Sequence, residues 1–276
     1  MTAGLTAVIF SYNRRDTIET VLRSVRFADR LIVFDKGSTD GTAEIGRAYA
    51  DEFNDIPWSP TIDATKAEFV PKVDSEWLLV LDDDECLNLE AIAYVQVAMR
   101  RAEFDVHSLP LRHYVLGRHE EAAYYWPEFH PVLFRRGAME YSASVHGPKM
   151  CVSDSHTRVD PETGVSVLHL THPDARTWIA KTNRYTDELD RASSISVTDL
   201  TPAGILRTMG DWLSKVPPGG NPYLTAIAAL RGIYDVVDVI KLWEQEQPRG
   251  DSPFASVCEQ LNHDYDTLGI SRNAAR

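Results

Sequence analysis

The first hundred residues alternate between short apolar strands and amphipathic helices, and no other feature of the chain restricts its fold as much. Three runs of aliphatic, β-branched and aromatic residues are predicted to be strands, and they cover residues 5–12, 30–35 and 77–81. Strands that alternate with helices predict a parallel sheet covered by helices on both faces. Ligands of such sheets bind beyond the carboxyl ends of the strands, and polar residues follow each of these three runs.

Helix signals follow the strands in the first half of the chain. The predicted helices cover residues 17–25, 41–53 with Asp40 as N-cap, 64–70, and a stretch capped by Asn88 that ends near residue 101. Apolar residues at helical spacing support the first of them, where Ile18, Val21 and Leu22 share one face.

The second half of the chain has a different pattern. Residues 106–169 predict short strands and loops of a mixed sheet, and the helices then predicted cover residues 175–192, 201–213, 223–246 and 253–268. We therefore divide the chain into a catalytic domain of residues 1–190 and a helical extension of residues 191–276. The last helices could cover the site, form a dimer face or pack as core, and core packing is the default.

The composition is that of a globular protein and excludes several classes of function. The 276 residues include 43% hydrophobic and 25% charged residues, and the formal net charge of −13 would repel the phosphate backbone of nucleic acid. Three widely spaced cysteines without a CxxC pair predict no disulfide framework and no zinc site, and they favour a cytoplasmic location. No apolar run is long enough to span a bilayer. Peripheral contact with a membrane and homo-oligomers stay open.

An acidic cluster, formed by Asp82, Asp83, Asp84 and Glu85, follows the third predicted strand directly. Like charges at one edge of a sheet repel each other unless a cation neutralises them. Carboxylate oxygens suit Mg²⁺ or Mn²⁺, which keep coordination positions for phosphate oxygens. The cluster therefore predicts a metal site that holds a diphosphate. The alternative is a solvated acidic turn that caps the next helix.

A second polar group follows the first two predicted strands. Asp35 ends the second strand, and Gly37 and Ser38 in the run GSTDGT let a ligand approach the backbone closely. The run has no Walker lysine and no GxGxxG spacing, so standing alone it is more often an ordinary strand-to-helix turn. Tyr12 and Asn13 follow the first strand at the same edge of the sheet, which favours contact with a nucleotide.

These residues carry a resemblance to a known family. The segments AVIFSYNRRDTIETVLRSVRFADRLIVFDKGSTDGT and WLLVLDDDE resemble inverting nucleotide-sugar transferases of glycosyltransferase family 2. The segment WPEFHPVLFRR and residues 145–146 and 169–185 resemble the lipopolysaccharide-core β-glucosyltransferase branch. The resemblance implies a GT-A-type, Rossmann-like α/β mixed sheet sandwiched by helices, with a helical C-terminal extension. It also implies transfer of a hexose from a nucleoside-diphosphate sugar, with a UDP-sugar favoured, to a small-molecule, peptide or glycan acceptor.

The resemblance implies a nucleotide-sugar site and a divalent-metal site at this edge of the sheet. The residues implied to bind the nucleotide sugar are Ser11, Tyr12, Asn13, Arg15, Asp35, Gly37, Ser38, Asp82, Asp83, Lys181, Arg184 and Tyr185. Asp82 and Asp84 form the implied DxD pair that binds Mn²⁺ or Mg²⁺, with Asp84 as the more direct ligand and His169 completing the shell. A strand-end histidine bound to the backbone is an equal interpretation of His169, and His172 competes for the same role.

The resemblance implies that Glu128 is the catalytic base, because relatives carry an aspartate after proline at this position. The aromatic residues around Glu128 would exclude water from it. The alternative is a carboxylate at the rim of the site, paired with Arg135 or Arg136.

Lys181, Arg184 and Tyr185 share one face of a predicted helix at i, i+3 and i+4 spacing. Two cations and a hydroxyl on one face suit an anionic group of the donor or acceptor. The alternative is a solvated face with Glu188 as ion-pair partner.

Two positions depart from the pattern of the family. Val132 stands where relatives usually carry arginine, and Gly147 follows His146 where glutamate is common. Both lie in the acceptor half, which leaves room for an acceptor other than a lipid-linked sugar, and His146 is expected to be structural.

Two other functions compete with glycosyl transfer. A nucleotidyltransferase has a similar α/β scaffold, but this chain lacks a Gly-rich basic loop for a triphosphate. A nucleotide-sugar-binding protein without turnover is the second, and the complete DxD pair disfavours it.

Overall fold

The computed structural model describes residues 4–59, 62–142, 150–187, 196–247 and 254–268. Within these ranges the chain forms a mixed β-sheet flanked by helices, and further helices follow toward the C-terminus. This confirms the mixed α/β sheet with a helical C-terminal extension. The predicted domain boundary between residues 190 and 191 lies outside the described residues.

The strands form one large sheet and one small one. In chain order they are β1 (Leu5–Ser11), β2 (Arg30–Asp35), β3 (Glu52–Asp55), β4 (Trp77–Asp82), β5 (Glu85–Leu87), β6 (Val106–Val115), β7 (Glu128–Arg135), β8 (Met139–Glu140), β9 (Met150–Cys151), β10 (His156–Arg158) and β11 (Val167–His172). The large sheet has the order β3-β2-β1-β4-β7-β6-β11-β5, with β10 beside β6, and β8 pairs with β9. Strands β3, β2, β1 and β4 are parallel, whereas β7 runs antiparallel to both β4 and β6.

The helices lie close to where the sequence predicts them. They are α1 (Arg15–Val25), α2 (Thr42–Tyr49), α3 (Ile62–Phe69), α4 (Leu89–Arg101), α5 (Ala175–Tyr185), α6 (Pro202–Leu213), α7 (Pro222–Glu246) and α8 (Ala255–Thr267). The predicted cap of α4 is confirmed, because Asn88 Oδ1 accepts a hydrogen bond of 2.9 Å from the backbone N–H of Ala91.

One predicted helix is too long at its C-terminal end. The helix expected over residues 41–53 ends at Tyr49, and Phe53 lies instead in β3, opposite Val33 of β2. Gly41, with φ of 97°, precedes the first helical residue in place of Asp40, the predicted N-cap. The predicted C-terminal end of the helix is wrong because β3, a short edge strand, has no sequence period of its own. Its pairing with β2 is not visible in the local pattern.

The central strands are buried on both faces, which explains their continuous apolar runs. Alternate residues of β1 belong to different clusters: Ala7 and Ile9 pack on the side of α1 and α4, whereas Val8 and Phe10 pack on the opposite side. The sheet therefore lies between two apolar layers.

The N-terminal part of α7 packs as core, which is the default expectation for this helix. Its residues Tyr223, Leu224 and Ile227 are buried in a cluster with Trp178 of α5 and Val115 at the end of β6. None of the described helices combines the length and apolar character that a bilayer crossing requires.

Candidate active site

The carboxyl ends of β1, β2 and β4 lie side by side at one edge of the sheet. The register pairs Ser11 with Asp35, and Phe10 with Asp82. Because the three strands are parallel and adjacent, the polar residues that follow them are brought to one place. The structure thus gathers the implied nucleotide-site residues of the first 85 positions.

Hydrogen bonds tie the turns after β1 and β2 together. The backbone N–H of Asn13 donates to Ser38 Oγ at 2.9 Å, and Asn13 Oδ1 accepts from the N–H of Thr39 at 2.8 Å. Asn13 has φ of 51°, in the left-handed region that asparagine tolerates better than most residues. The N–H of Arg15 donates to Asp40 Oδ2 at 3.1 Å and adds a further link. The two turns therefore form one connected surface.

Asp35 is fully buried and shapes the second turn. Its Oδ1 accepts hydrogen bonds from the N–H groups of Gly37 (3.0 Å) and Ser38 (2.7 Å), and its Oδ2 accepts from Ser38 Oγ (2.6 Å). Gly37 has φ of 83°, so a larger residue would be strained there. The buried Lys36 lies 5.8 Å from the centroid of the Tyr12 ring. The turn thus has a fixed shape, and the exposed Gly37 leaves room for a ligand to approach it.

Two carboxylates of the acidic cluster are paired with bases from other elements. Lys66 of α3 is buried, and its Nζ lies 2.5 Å from Asp82 Oδ1. Burial alone would lower the pKa of Lys66, but the nearby acidic groups, Asp82 foremost, together outweigh burial and raise it. Glu85 lies 3.3 Å from His130 Nδ1. Burial would raise the pKa of Glu85, but the nearby basic groups, His130 foremost, together lower it.

Arg14 joins the other two carboxylates of the cluster. Its Nε lies 3.1 Å from Asp83 Oδ1, and its Nη2 lies 3.0 Å from Asp84 Oδ2. Asp84 also contacts His169 Nε2 at 3.3 Å and Lys181 Nζ at 3.7 Å. Burial would raise the pKa of Asp84, but these basic side chains, His169 foremost, hold it well below its usual range. Burial and then the charge of Asp84 raise the pKa of Asp83 to about 7.

Glu128 begins β7 and is held by two histidines. Its Oε2 lies 2.8 Å from His113 Nε2, and its Oε1 lies 3.4 Å from His130 Nε2. These contacts, with that of His113 the larger, lower the pKa of Glu128 well below its usual range. The side chain remains 48% exposed. Arg135 and Arg136 pair instead with acidic residues near the other end of β7, so the alternative rim pairing is not observed.

Lys181, Arg184 and Tyr185 share one face of α5, as their spacing predicts. Lys181 Nζ donates to Thr171 Oγ1 at 3.0 Å and reaches the acidic cluster. The exposed Arg184 packs its guanidinium 5.1 Å from the centroid of the Tyr185 ring, and Lys181 Nζ lies 5.7 Å from the same ring. Glu188, the alternative partner of this face, lies outside the described residues.

Sequence reasoning misses four basic residues of this site: Arg14, Lys66, His113 and His130. His130 could have been predicted from the sequence. It lies two residues after Glu128, and residues two apart on a strand share a face, so the two side chains are expected to be neighbours. Lys66 and His113 had no such signal, because their partners lie on other elements. The packing of α3 on the sheet brings Lys66 to Asp82, and the order of the strands brings His113 to Glu128 and His169.

The remaining sequence candidates fall into different places. His169, rather than His172, contacts Asp84 in the described part of the chain, and burial lowers the pKa of His172 to about 3. Val132 is buried in the main core and acts as a packing residue. His146 and Gly147 lie outside the described residues.

Asp84 and His169 are spaced as two ligands of one divalent cation would be. Asp84 Oδ1 and His169 Nε2 are 3.3 Å apart, near the roughly 3 Å between adjacent ligands of an octahedral ion with bonds of about 2.1 Å. The third predicted ligand, Asp82, is paired with Lys66 instead. In the described ranges, no three His, Cys, Asp or Glu side chains are grouped to hold an ion. A cation here would complete its shell with water or phosphate oxygens.

The sequence profile described as "Glycosyl transferase family 2" matches residues 6–150, which is 145 of the 276 residues. The chain belongs to glycosyltransferase family 2. As a member of this family it is a glycosyltransferase, which disfavours the two competing functions, nucleotidyl transfer and binding without turnover. The matched segment contains the turns after β1 and β2, the acidic cluster and Glu128. His169 and the face of α5 lie beyond it.

Several solved structures are similar to this glycosyltransferase at low sequence identity. The crystal structure of S. aureus TarS 1–349 has 14% identity and a TM-score of 0.46 over 90% of this chain and 93% of that one. A longer S. aureus TarS structure has 14% identity and a TM-score of 0.41, and the match spans 85% of this chain and 55% of that one.

A third similar structure is glucosyl-3-phosphoglycerate synthase from Mycobacterium tuberculosis in complex with Mn²⁺, UDP and glucosyl-3-phosphoglycerate. It has 21% identity and a TM-score of 0.33 over 40% of this chain and 44% of that one. No curated protein matches the sequence.

Proposed function

We propose that this family 2 glycosyltransferase moves a hexose from a nucleoside-diphosphate sugar, with a UDP-sugar favoured, to a hydroxyl of a small-molecule, peptide or glycan acceptor. The resemblance to the lipopolysaccharide-core β-glucosyltransferase branch supports a hexose donor. The observation that carries the proposal is the position of two carboxylates at the same edge of the sheet. Glu128 is half-exposed and has a lowered pKa, and Asp84 is in contact with three basic side chains, which lower its pKa.

The donor would lie over the turns that follow β1 and β2. Tyr12 and the turn shaped by Asp35 would hold the base and ribose, because the Tyr12 ring and the exposed Gly37, which has no side chain to block a ligand, lie at the same edge of the sheet. Arg14 and Lys181, which both reach Asp84, would face the diphosphate. A divalent cation bound by Asp84 and His169 would stabilise the charge that develops on the departing diphosphate.

Glu128 would act as the general base. Its carboxylate would take the proton of the acceptor hydroxyl while the oxygen of that hydroxyl bonds to the anomeric carbon. The bond between this carbon and the diphosphate oxygen breaks on the opposite face, so the configuration inverts and a nucleoside diphosphate leaves. The depressed pKa of Glu128 keeps the carboxylate ionised at neutral pH, and its exposure lets an acceptor reach it.

The variant Glu128→Gln tests the base. We expect transfer to fall by at least about 100-fold, with the dissociation constant of the donor unchanged, because the amide cannot take a proton. Glu90→Gln, on the exposed first turn of α4, is the matched control. A near wild-type transfer rate in Glu128→Gln would assign the base to another residue.

The donor and the cation are tested together by thermal shift with a series of sugar nucleotides, each with and without Mn²⁺. We expect the matching UDP-sugar to stabilise the protein only when Mn²⁺ is present, and Asp84→Ala to lose this response while keeping its circular dichroism spectrum. Release of a nucleoside diphosphate, measured with the same donor, reports the reaction. Unchanged turnover in Asp84→Ala would remove the metal from the proposal.

A further inference from the structure

His113 lies at the centre of a continuous series of polar contacts across three adjacent strands. Its Nε2 is 2.8 Å from Glu128 Oε2 on β7, and its Nδ1 is 2.9 Å from His169 Nδ1 on β11. His169 Nε2 in turn lies 3.3 Å from Asp84 Oδ1. His113 and His169 are direct partners in the register of β6 and β11, so their side chains project from the same face.

The hydrogen-bond roles in this series follow from Glu128. An ionised carboxylate only accepts hydrogen bonds, so His113 Nε2 carries the hydrogen between them. When the His113 ring is neutral, its other nitrogen is an acceptor, so Nδ1 would accept from the Nδ1–H of His169. His169 Nε2, 3.3 Å from Asp84 Oδ1, would then be the nitrogen with which the ring ligates a cation placed between the two side chains, in exchange for the direct contact with Asp84.

Packing holds the His113 ring in this position. Its side chain is 15% exposed, and the Tyr125 ring meets it edge-on with centroids 5.0 Å apart. Tyr125 Oη lies 3.3 Å from the backbone oxygen of His113 and 3.1 Å from Tyr223 Oη of α7. The ring is therefore supported from the C-terminal helices as well as from the sheet.

We propose that His113 is a positioning residue for glycosyl transfer, with one function on each ring nitrogen. Its Nε2–H holds the carboxylate of Glu128 in place, and its Nδ1 selects the tautomer of His169 that presents Nε2 beside Asp84. Glu128, which would act on the acceptor, and His169, which would help bind the cation of the donor, are thus aligned through one side chain. The inference rests on the proposed function, in which Glu128 is the base and Asp84 and His169 hold a cation.

Three substitutions separate the two contacts of the ring. His113→Phe keeps the ring volume and removes both nitrogens. His113→Gln places an amide near the position of Nε2 and can still donate to Glu128. His113→Asn places an amide oxygen near the position of Nδ1 and can still accept from His169. His263→Phe, on the exposed helix α8, is the matched control.

The expected results differ among these variants. His113→Phe should lower kcat by about 10- to 100-fold, as removal of a residue that orients a ligand or base does, with the donor KM changed by less than about twofold. His113→Gln should recover most of kcat. The affinity for Mn²⁺, measured by calorimetry without donor or acceptor, should fall about 10- to 100-fold in His113→Phe and His113→Gln but not in His113→Asn. Equal losses in all three variants, in step with their melting temperatures, would overturn the proposal.

A double-mutant cycle with Glu128→Gln tests whether His113 acts through the base. We expect His113→Phe to cause no further loss of kcat in the Glu128→Gln background, whereas multiplying losses would overturn the positioning of Glu128. Unchanged Mn²⁺ affinity in His113→Phe would overturn the positioning of His169. If Glu128→Gln alone transfers at the wild-type rate, the proposed base fails, and the Mn²⁺ measurement still decides the role of His113 independently. Should His113→Phe not fold, the Gln and Asn variants provide the same comparison.

Discussion

Asp83 and Asp84 are adjacent and chemically identical, yet their surroundings shift their pKa values in opposite directions. Asp84 meets three basic side chains and has a pKa well below its usual range. Asp83 shares Arg14 with it and accepts a hydrogen bond from the N–H of Tyr12, but burial and the charge of Asp84 raise its pKa to about 7. The negative charge of this pair is therefore concentrated on Asp84, the residue that lies beside His169.

The buried ion pair of Lys66 and Asp82 yields a prediction for stability. We expect Lys66→Met to lower the free energy of unfolding by about 2–4 kcal/mol, because it leaves Asp82 without its counter-charge at a site that is only partly solvated. Lys66→Met combined with Asp82→Asn should recover most of this loss, and urea unfolding measures both.

The matched control for that pair is Lys72→Met. Lys72 forms an exposed i, i+4 pair with Glu68, so its removal should cost no more than about 0.5 kcal/mol. Equal losses for Lys66→Met and Lys72→Met would show that the buried pair contributes no more than a surface pair.

His107 yields a prediction for the pH dependence of stability. It is 2% exposed, near the rings of Trp77 and Phe104, and its Nδ1 lies 2.8 Å from Tyr94 Oη. Burial lowers the pKa of His107 below that of the unfolded chain. The folded state therefore binds fewer protons, so the stability that neutral His107 contributes is present above the unfolded pKa of about 6.5 and is lost as the pH falls.

We expect the free energy of unfolding to fall more steeply between about pH 7 and pH 5 in the wild type than in His107→Asn, which removes the titrating group. Urea unfolding at several pH values measures the two slopes. His263→Asn, on exposed α8, should keep the slope of the wild type. Parallel curves for wild type and His107→Asn would contradict the prediction.

At the scale of elements, local signals predict most helices, and long-range pairing explains the failures. The N-cap Asn88 and the end of α4 at Arg101 are both visible in the sequence, because capping and periodicity are local properties. The end of α2 is not, since the strand containing Phe53 exists only through its pairing with β2. The same limit applies to β5, which begins at Glu85 of the acidic cluster and pairs with the distant β11.

The packing of α2 on β3 yields a prediction that reverses helix propensity. Alanine normally stabilises a helix interior relative to glycine by about 1 kcal/mol. A Cβ at Gly46 of α2, however, would lie 2.6 Å from Cε2 of Phe53. We expect Gly46→Ala to destabilise the protein by about 1–3 kcal/mol, because overpacking outweighs the gain in propensity.

Gly210 of α6 is the matched control, since a Cβ there would meet no atom within 4 Å. Gly210→Ala should raise the free energy of unfolding by about 0.5–1 kcal/mol. Thermal or urea unfolding compares the two variants. A stabilised Gly46→Ala would show that the Phe53 ring moves aside at little cost.

At the scale of the whole molecule, the sequence predicts the part of the site that is built from turns and not the part that is built across strands. Asp35, Ser38 and Asp84 lie within four residues of the end of an apolar run, so their place at the sheet edge follows from a parallel sheet alone. His113 lies within a strand of ten residues, and its contacts with Glu128 and His169 require the order β7-β6-β11. No local pattern encodes that order.

The attachment of α7 to the site yields the last prediction. Tyr223 Oη lies within hydrogen-bond distance of the backbone oxygens of Val115 (3.0 Å) and Arg118 (2.6 Å) and of Tyr125 Oη (3.1 Å). Tyr223→Phe removes this hydroxyl and leaves buried acceptors with one donor fewer, so we expect a loss of about 1–3 kcal/mol in the free energy of unfolding.

Hydrogen exchange in Tyr223→Phe should accelerate in residues 115–126 before it does in β1 or β4, because this segment depends on α7 while the central strands do not. Transfer should also slow, since Tyr125 supports His113. Tyr265→Phe, on exposed α8, should change none of these three measurements. Unaltered exchange in residues 115–126 of Tyr223→Phe would mean that α7 does not hold this side of the site in place.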